Sequence, residues 1–163
     1  MFPALWARLK GSLKEIMLAY DPATNPLNNN EWAFPLCEII HILGFAFSIG
    51  TVALVDLRLL GLAFKSQPAS KVLKDTAPWT LVGLVVMWIS GPLIFSSDPV
   101  MYLNNASFRF KIGALLLAMI YNYTIHRKVA MSEAKGAGAK LTAIISLALW
   151  VSVVAGGLFI AFV

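Results

Sequence analysis

The chain has 163 residues, 59% of them hydrophobic and 13% charged, with a formal net charge of +5. A soluble domain carries about 25% charged residues, so this balance excludes an ordinary water-soluble fold and points to a bilayer. One cysteine, Cys37, excludes an internal disulfide and any cysteine-based zinc site, while His41 and His126 limit histidine ligation to two positions.

At the N-terminus, Leu5, Leu9, Leu13, Ile16, Met17 and Tyr20 recur at three- and four-residue intervals, interrupted by Arg8, Lys10, Lys14 and Glu15. Pro3 suits a first helical turn. The pattern predicts an amphipathic helix over 1–20 lying in the membrane interface, not a secretory signal. Packing of that helix on a partner protein is the alternative. Residues 21–31 form a turn-rich connector without an apolar period.

The remainder, 32–163, reads as an all-α bundle of four transmembrane helices, because an apolar stretch of about 20 residues spans the roughly 30 Å hydrocarbon core. The first span is expected from Trp32 to about Phe64, longer than a bilayer requires. Lys65 to Asp75 read as a polar loop. The second span runs from about Thr76 to Phe95, and Ser96-Ser-Asp-Pro breaks it. The third covers about Ser107 to Ile125 and ends in His126-Arg-Lys. After Gly136-Ala-Gly-Ala, the fourth runs from about Lys140 to Val163.

The basic residues lie at span ends and read as topology signals and headgroup contacts, with no nucleic-acid partner. Lys65, Lys71, Lys74, Arg127, Lys128, Lys135 and Lys140 crowd two loops on one side. The positive-inside rule puts those loops in the cytoplasm and both termini outside.

Within the first span, Glu38 and His41 stand one helical turn apart. An ionisable residue inside a span costs roughly 2.5–3.5 kcal/mol on insertion scales, so it usually meets a partner, a cavity or a cofactor. On a helical wheel Glu38, His41, Ser48, Thr51 and Asp56 share one face with Gly44, where another backbone or a flat ligand can approach closely. His41 lies about 13 Å in from Trp32. Arg109 and Lys111 enter the third span from the same side, so an ion pair of Glu38 with either is one expectation, and a histidine satisfied by Glu38 or a backbone carbonyl is another. His126 is expected to cap the third helix among the inner headgroups. Asp56 is expected to bond a neighbouring helix near that same face, with Arg58 snorkelling.

Three uses of the Glu38/His41 site follow. In the first, His41 ligates haem b, Arg109 and Lys111 meet the propionates, and a second axial ligand is Met87 or Met119 or is absent. In the second, Glu-x-x-His holds a non-haem metal, a scheme that lacks inward carboxylates because Asp56 is about 27 Å along the helix from Glu38. In the third, the polar face passes protons or ions. Ala148, Ser152 and Gly156 form a helix-packing ridge within the bundle or between subunits.

Trp32, Pro35, Glu38, His41, Gly44, Gly50 and the Asp56-Leu-Arg-Leu-Leu-Gly segment, with Asn105, Phe108 and Lys111, resemble a group of small bacterial inner-membrane proteins of uncharacterised function. That group is distantly similar to the membrane domains of copper-resistance D proteins and to four-helix b-type cytochromes. The resemblance implies redox chemistry or haem. The expected protein is thus a homo-oligomeric membrane protein binding haem b or a metal for electron transfer with a redox partner. The rival reading is a non-catalytic subunit whose polar residues fix helix register.

Overall fold

The computed structural model describes Glu15 and residues 19–162, so the amphipathic helix expected over 1–20 lies almost wholly outside the described residues. The chain is all-helical there, and three of its helices are long and apolar enough to cross a membrane. The connector folds back on the bundle: Asn25 Nδ2 donates to the Ser96 carbonyl at 2.8 Å, and Asn28 Nδ2 to the Ser97 carbonyl at 2.9 Å.

Helix α1 spans Ala33–Leu60. It stops four residues short of the expected Phe64 because Gly61 takes a left-handed φ of 77°. There the Leu62 N–H returns to the Leu57 carbonyl, closing a glycine-dependent C-cap. Helix α2 spans Ala69–Ser97 and starts seven residues earlier than expected. Most of the expected Lys65–Asp75 loop is therefore helix. Pro68 sets the entry, the Glu133 carboxylate accepts from the Ser70 N–H, and Lys71 pairs with Asp75 one turn on. These polar residues dress the end of a helix that continues beyond the apolar stretch.

The Ser96-Ser-Asp-Pro break is real. Asp98 caps the short helix α3, Pro99–Asn104, whose first residue is the proline. Asn105 then caps α4, Ala106–Tyr121, by accepting from the Phe108 N–H. Helical winding does not stop at Tyr121: a π-type turn over Asn122–His126 carries it into α5, Arg127–Met131. Helix α6, Ala137–Leu158, ends the fold with a tight turn at Phe159–Phe162.

Helix α1 packs chiefly on α2 and also on α6, while α4 packs on α6. The closest approach is a glycine crossing: a Cβ on Gly83 would lie 2.5 Å from the Gly44 carbonyl oxygen and from Ser48 Oγ. Gly44 therefore receives a backbone, not a flat ligand. Helices α2 and α4 are pinned at one end by stacked Phe95 and Phe108 and at the other by α5 packing on α2. A gap remains between them.

Two small cores fill the interior, one of Val55, Leu59, Val72 and four alanines, the other around Trp150. Trp150 is buried, whereas Trp32 and Trp79 are exposed as interface anchors require. Large apolar side chains such as Ile39, Leu43, Trp88, Leu117 and Val151 cover the outside, as a lipid-facing surface does. Gly156 packs against Phe110 and Lys111, which places the end of that small-residue ridge inside the bundle.

Candidate functional site

Two polar levels lie along the inner side of α1, about 22 Å apart at 1.5 Å of rise per residue. The outer level holds His41. Its Nδ1 lies 2.8 Å from Ser90 Oγ, and that hydroxyl donates its own proton to the Val86 carbonyl at 2.6 Å. Ser90 can only accept from His41, so Nδ1 carries the hydrogen and Nε2 keeps its lone pair.

Around His41 the expected ion pairs do not form, although Lys111 stays within electrostatic reach of the ring. Glu38 is exposed and forms no ion pair; among the described residues the ion pairs are Lys71–Asp75 and His126–Asp56. Arg109 is occupied elsewhere, its Nη1 donating to the carbonyls of Leu103 and Asn104 where α3 ends. Lys111 lies against Gly157, its Nζ 5.9 Å from the Phe45 ring centroid. Met119 packs into the Trp150 core, and Met87 is buried on α2. Among the described residues no three His, Cys, Asp or Glu side chains gather as a metal site. Among the described residues the Glu-x-x-His scheme for a non-haem metal finds no third ligand.

Between the levels the polar face of α1 serves packing. Ser48 Oγ donates to the Thr80 carbonyl, and the Thr51 and Thr80 hydroxyls share a 2.8 Å hydrogen bond. The glycine crossing brings the two backbones into close contact beside these residues.

The inner level is the better-built site, and the sequence reading placed its histidine wrongly. His126 is 1% exposed and not a surface cap. The helix runs on through Arg127 to Met131, so the carbonyls that His126 was expected to cap belong to later residues. Its Nε2 lies 2.7 Å from Asp56 Oδ1, and Ser146 Oγ donates to Asp56 Oδ2 at 2.8 Å. Asp56 does bond a neighbouring helix, as expected; in fact it bonds two. All three side chains are sealed from solvent, joining α1, the π turn and α6. Arg58 donates to the Gln67 carbonyl instead of reaching for headgroups.

Two buried atoms at this level have no hydrogen-bond partner, His126 Nδ1 and Asn122 Oδ1. Both residues belong to the π turn, one helical turn apart, and both line a cavity of about 460 Å3 in the gap between α2 and that turn. Val52 and Val55 of α1 form its floor, and Pro78 and Leu81 of α2 its far wall. Lys74 and Arg127 also line it, at the ends of their spans. Pro78 removes a helical N–H donor on one side, and the π winding disturbs the ladder on the other. Two helix irregularities thus face each other across one space. A signal for this site was present in the sequence: Asp56 and His126 are complementary polar residues at the same end of their spans.

The sequence pattern of a family of unknown function (DUF6644) matches residues 33–163, the whole helical bundle. The chain belongs to that family. No link to copper-resistance D membrane domains or to b-type cytochromes comes with the match. No curated protein and no solved structure matches the chain. The DUF6644 match starts at the first residue of α1 and covers both polar levels.

Proposed function

We propose that this DUF6644 protein is a four-span membrane protein whose working site is the Asp56–His126–Ser146 cluster with its cavity, and that it takes up a small ligand from the lipid phase and exchanges a proton with it. In this reading the helical run from Ala106 to Met131 is the third of four spans, the basic loops face the cytoplasm of a bacterial inner membrane, and the cavity opens near the inner headgroups. One observation carries it: a fully buried imidazole is held by a carboxylate on one nitrogen and left without a partner on the other, in the wall of a cavity. Buried polar atoms are nearly always paired, so an unpaired one in a residue that lines a cavity favours a ligand there over plain packing. The Asp56 carboxylate orients the ring through Nε2, an arrangement in which an imidazole can exchange a proton at its other nitrogen.

The test is extraction of the full chain, purified in a mild detergent, with organic solvent and mass spectrometry of what is released. A small molecule recovered from the wild type and depleted on Asn122→Leu supports the reading. A wild-type protein that releases nothing beyond bulk phospholipid overturns it.

A second reading, electron transfer through haem b at His41, keeps one specific support. An axial histidine uses one nitrogen for iron and donates the other N–H to a protein acceptor. His41 has that form, with Nδ1 fixed by Ser90 and Nε2 free. Haem would supply one-electron chemistry, while His41 would hold it and Ser90 fix the ring. A homo-oligomer is one way to enclose such a group, with a redox partner outside it. Absorption spectroscopy checks this: a Soret band abolished by His41→Ala is expected, and a colourless protein expressed in haem-replete cells refutes it.

A further inference from the structure

A groove of about 330 Å3 runs between α4 and α6, lined by residues distinct from those of the Asp56–His126 cavity. Phe110, Gly113, Ala114 and Leu117 line it from α4, and Leu149 and Ser152 from α6. Its walls are apolar. Ser152 Oγ donates to the Ala148 carbonyl of its own helix, so that hydroxyl asks nothing of the groove. Gly113 opens one wall, because a Cβ built there meets nothing within 4 Å. From Arg109 to Leu117 the groove follows α4 for about 12 Å.

The charged residue lining the groove is Arg109. Side chains on a helix lean towards its N-terminus, which for α4 is the outer end. There Arg109 Nη1 donates to the Leu103 and Asn104 carbonyls at 2.9 and 3.2 Å. Those two bonds hold the guanidinium in place and occupy only that nitrogen. Arg109 Nε and Nη2 have no hydrogen-bond or ion-pair partner among the described residues. A planar cation fixed in this way, with donors to spare, matches the oxygens of a phosphate.

We propose that the groove seats one phospholipid of net negative charge, its phosphate on Arg109 and one acyl chain along Gly113 to Leu117. The inference is independent of the ligand reading of the inner cavity. Charge complementarity selects the occupant: the cation stands at the headgroup end, and the apolar walls continue from it into the bilayer. A zwitterionic phospholipid carries its own cation beside the phosphate, which offsets the attraction to Arg109. A second copy of this chain is the rival occupant.

The experiment is native mass spectrometry of the full chain in mild detergent, titrated with short-chain phosphatidylglycerol, phosphatidylcholine of the same chains, and glycerol phosphate. The expected result is one saturable phosphatidylglycerol per chain, bound several-fold more tightly than phosphatidylcholine, and no binding of glycerol phosphate. Arg109→Gln should weaken phosphatidylglycerol by about tenfold or more and erase its advantage over phosphatidylcholine. Gly113→Leu should abolish the bound lipid with helicity unchanged, since its side chain fills the groove without meeting the bundle at Cβ. Arg109→Gln also frees the carbonyls that close α3; should it misfold, Gly113→Leu decides the matter. Unchanged binding in Gly113→Leu, equal wild-type affinity for the two phospholipids, or no saturable phosphatidylglycerol overturns the assignment. Glycerol phosphate bound as tightly as the lipid overturns it too, because the acyl chain then contributes nothing. A lipid-free dimer that Gly113→Leu dissociates would make the groove an interface between copies, and the phospholipid would fall.

Discussion

The two histidines of this chain sit at opposite levels of one bundle, and their surroundings differ in kind. His41 contacts a single hydroxyl on the adjacent helix, is half-buried, and keeps a free nitrogen. His126 is sealed, bonded to a carboxylate that a third helix also bonds, has an unpartnered buried nitrogen, and is one of the residues lining a cavity. The difference teaches that a polar residue in a span gains consequence from how many helices depend on it. Losing His41 removes one local contact. Losing His126 strands a carboxylate where three segments meet.

The sharpest way to break this comparison is to replace each histidine by leucine. His126→Leu leaves Asp56 buried with only Ser146, and stranding one member of a buried pair costs about 3–5 kcal/mol. The double variant Asp56→Leu with His126→Leu should recover most of that loss, because the pair as a whole is close to neutral against apolar replacements. Reversible unfolding in mixed micelles, followed by circular dichroism, measures both. If His126→Leu proves no worse than His41→Leu, the two levels are energetically alike and the contrast fails.

A smaller effect is expected where the levels are joined. Gly83→Ala drives a methyl to 2.5 Å from the Gly44 carbonyl and Ser48 Oγ, and forced overpacking of this sort costs about 1–3 kcal/mol. Gly91→Ala is the control at the His41 level, since its methyl would meet His41 Cε1 at an ordinary 3.4 Å. The same unfolding assay should separate the two variants. Comparable stability for both would mean that the crossing can open, and that the polar face of α1 is less tightly closed than its geometry implies.

Much of this architecture was legible in the sequence, and the parts that were not have physical causes. Apolar stretch lengths gave all the long helices, and Asp98-Pro99 gave the break, because burial in lipid and capping chemistry act locally. The start of α2 was missed because its first turn is stabilised by Glu133, a residue from a distant loop. His126 reads as a helix end because Arg127 and Lys128 follow it, but the helical run continues past it and the ring is buried. The grouping of Glu38 with Lys111 and Arg109 failed because long side chains found nearer partners, the carbonyls closing α3 and the Phe45 ring. Helical periodicity shows which residues share a face. It does not show which neighbour that face will meet.

At the outer level the comparison can be sharpened with Ser90→Ala. The change removes the acceptor for His41 Nδ1–H and should cost about 1 kcal/mol, the net worth of one hydrogen bond in a partly exposed setting. It should leave the inner cluster intact. Hydrogen exchange read by mass spectrometry is the check: faster exchange is expected in peptides around His41 and none around Asp56. Spread of the effect to the Asp56 level would show that the two sites are coupled through α1.

The smallest expected effect lies at the basic end, where Glu133 accepts from the Ser70 N–H and so ties the loop after α5 to the first turn of α2. That Ser70 hydrogen bond holds the Glu133 carboxyl below its ordinary value. A carboxyl depressed on folding contributes stability that is complete above its ordinary value and is lost as pH falls through the folded one. The carboxylate is fully exposed and screened by solvent, so loosening should be confined to the contact and not reach the whole fold. Acidifying from neutral pH to below the carboxylate range should therefore lower the protection of the Ser70 and Lys71 amides, read as exchange relative to an unstructured chain at the same pH, while leaving that of the Ser90 region unchanged. Glu133→Gln should show the lowered protection already at neutral pH and lose its dependence on pH. If protection at the two ends of α2 instead falls together on acidification, the helix ends are not independent, and the separation of the two levels argued from their geometry would have to be abandoned.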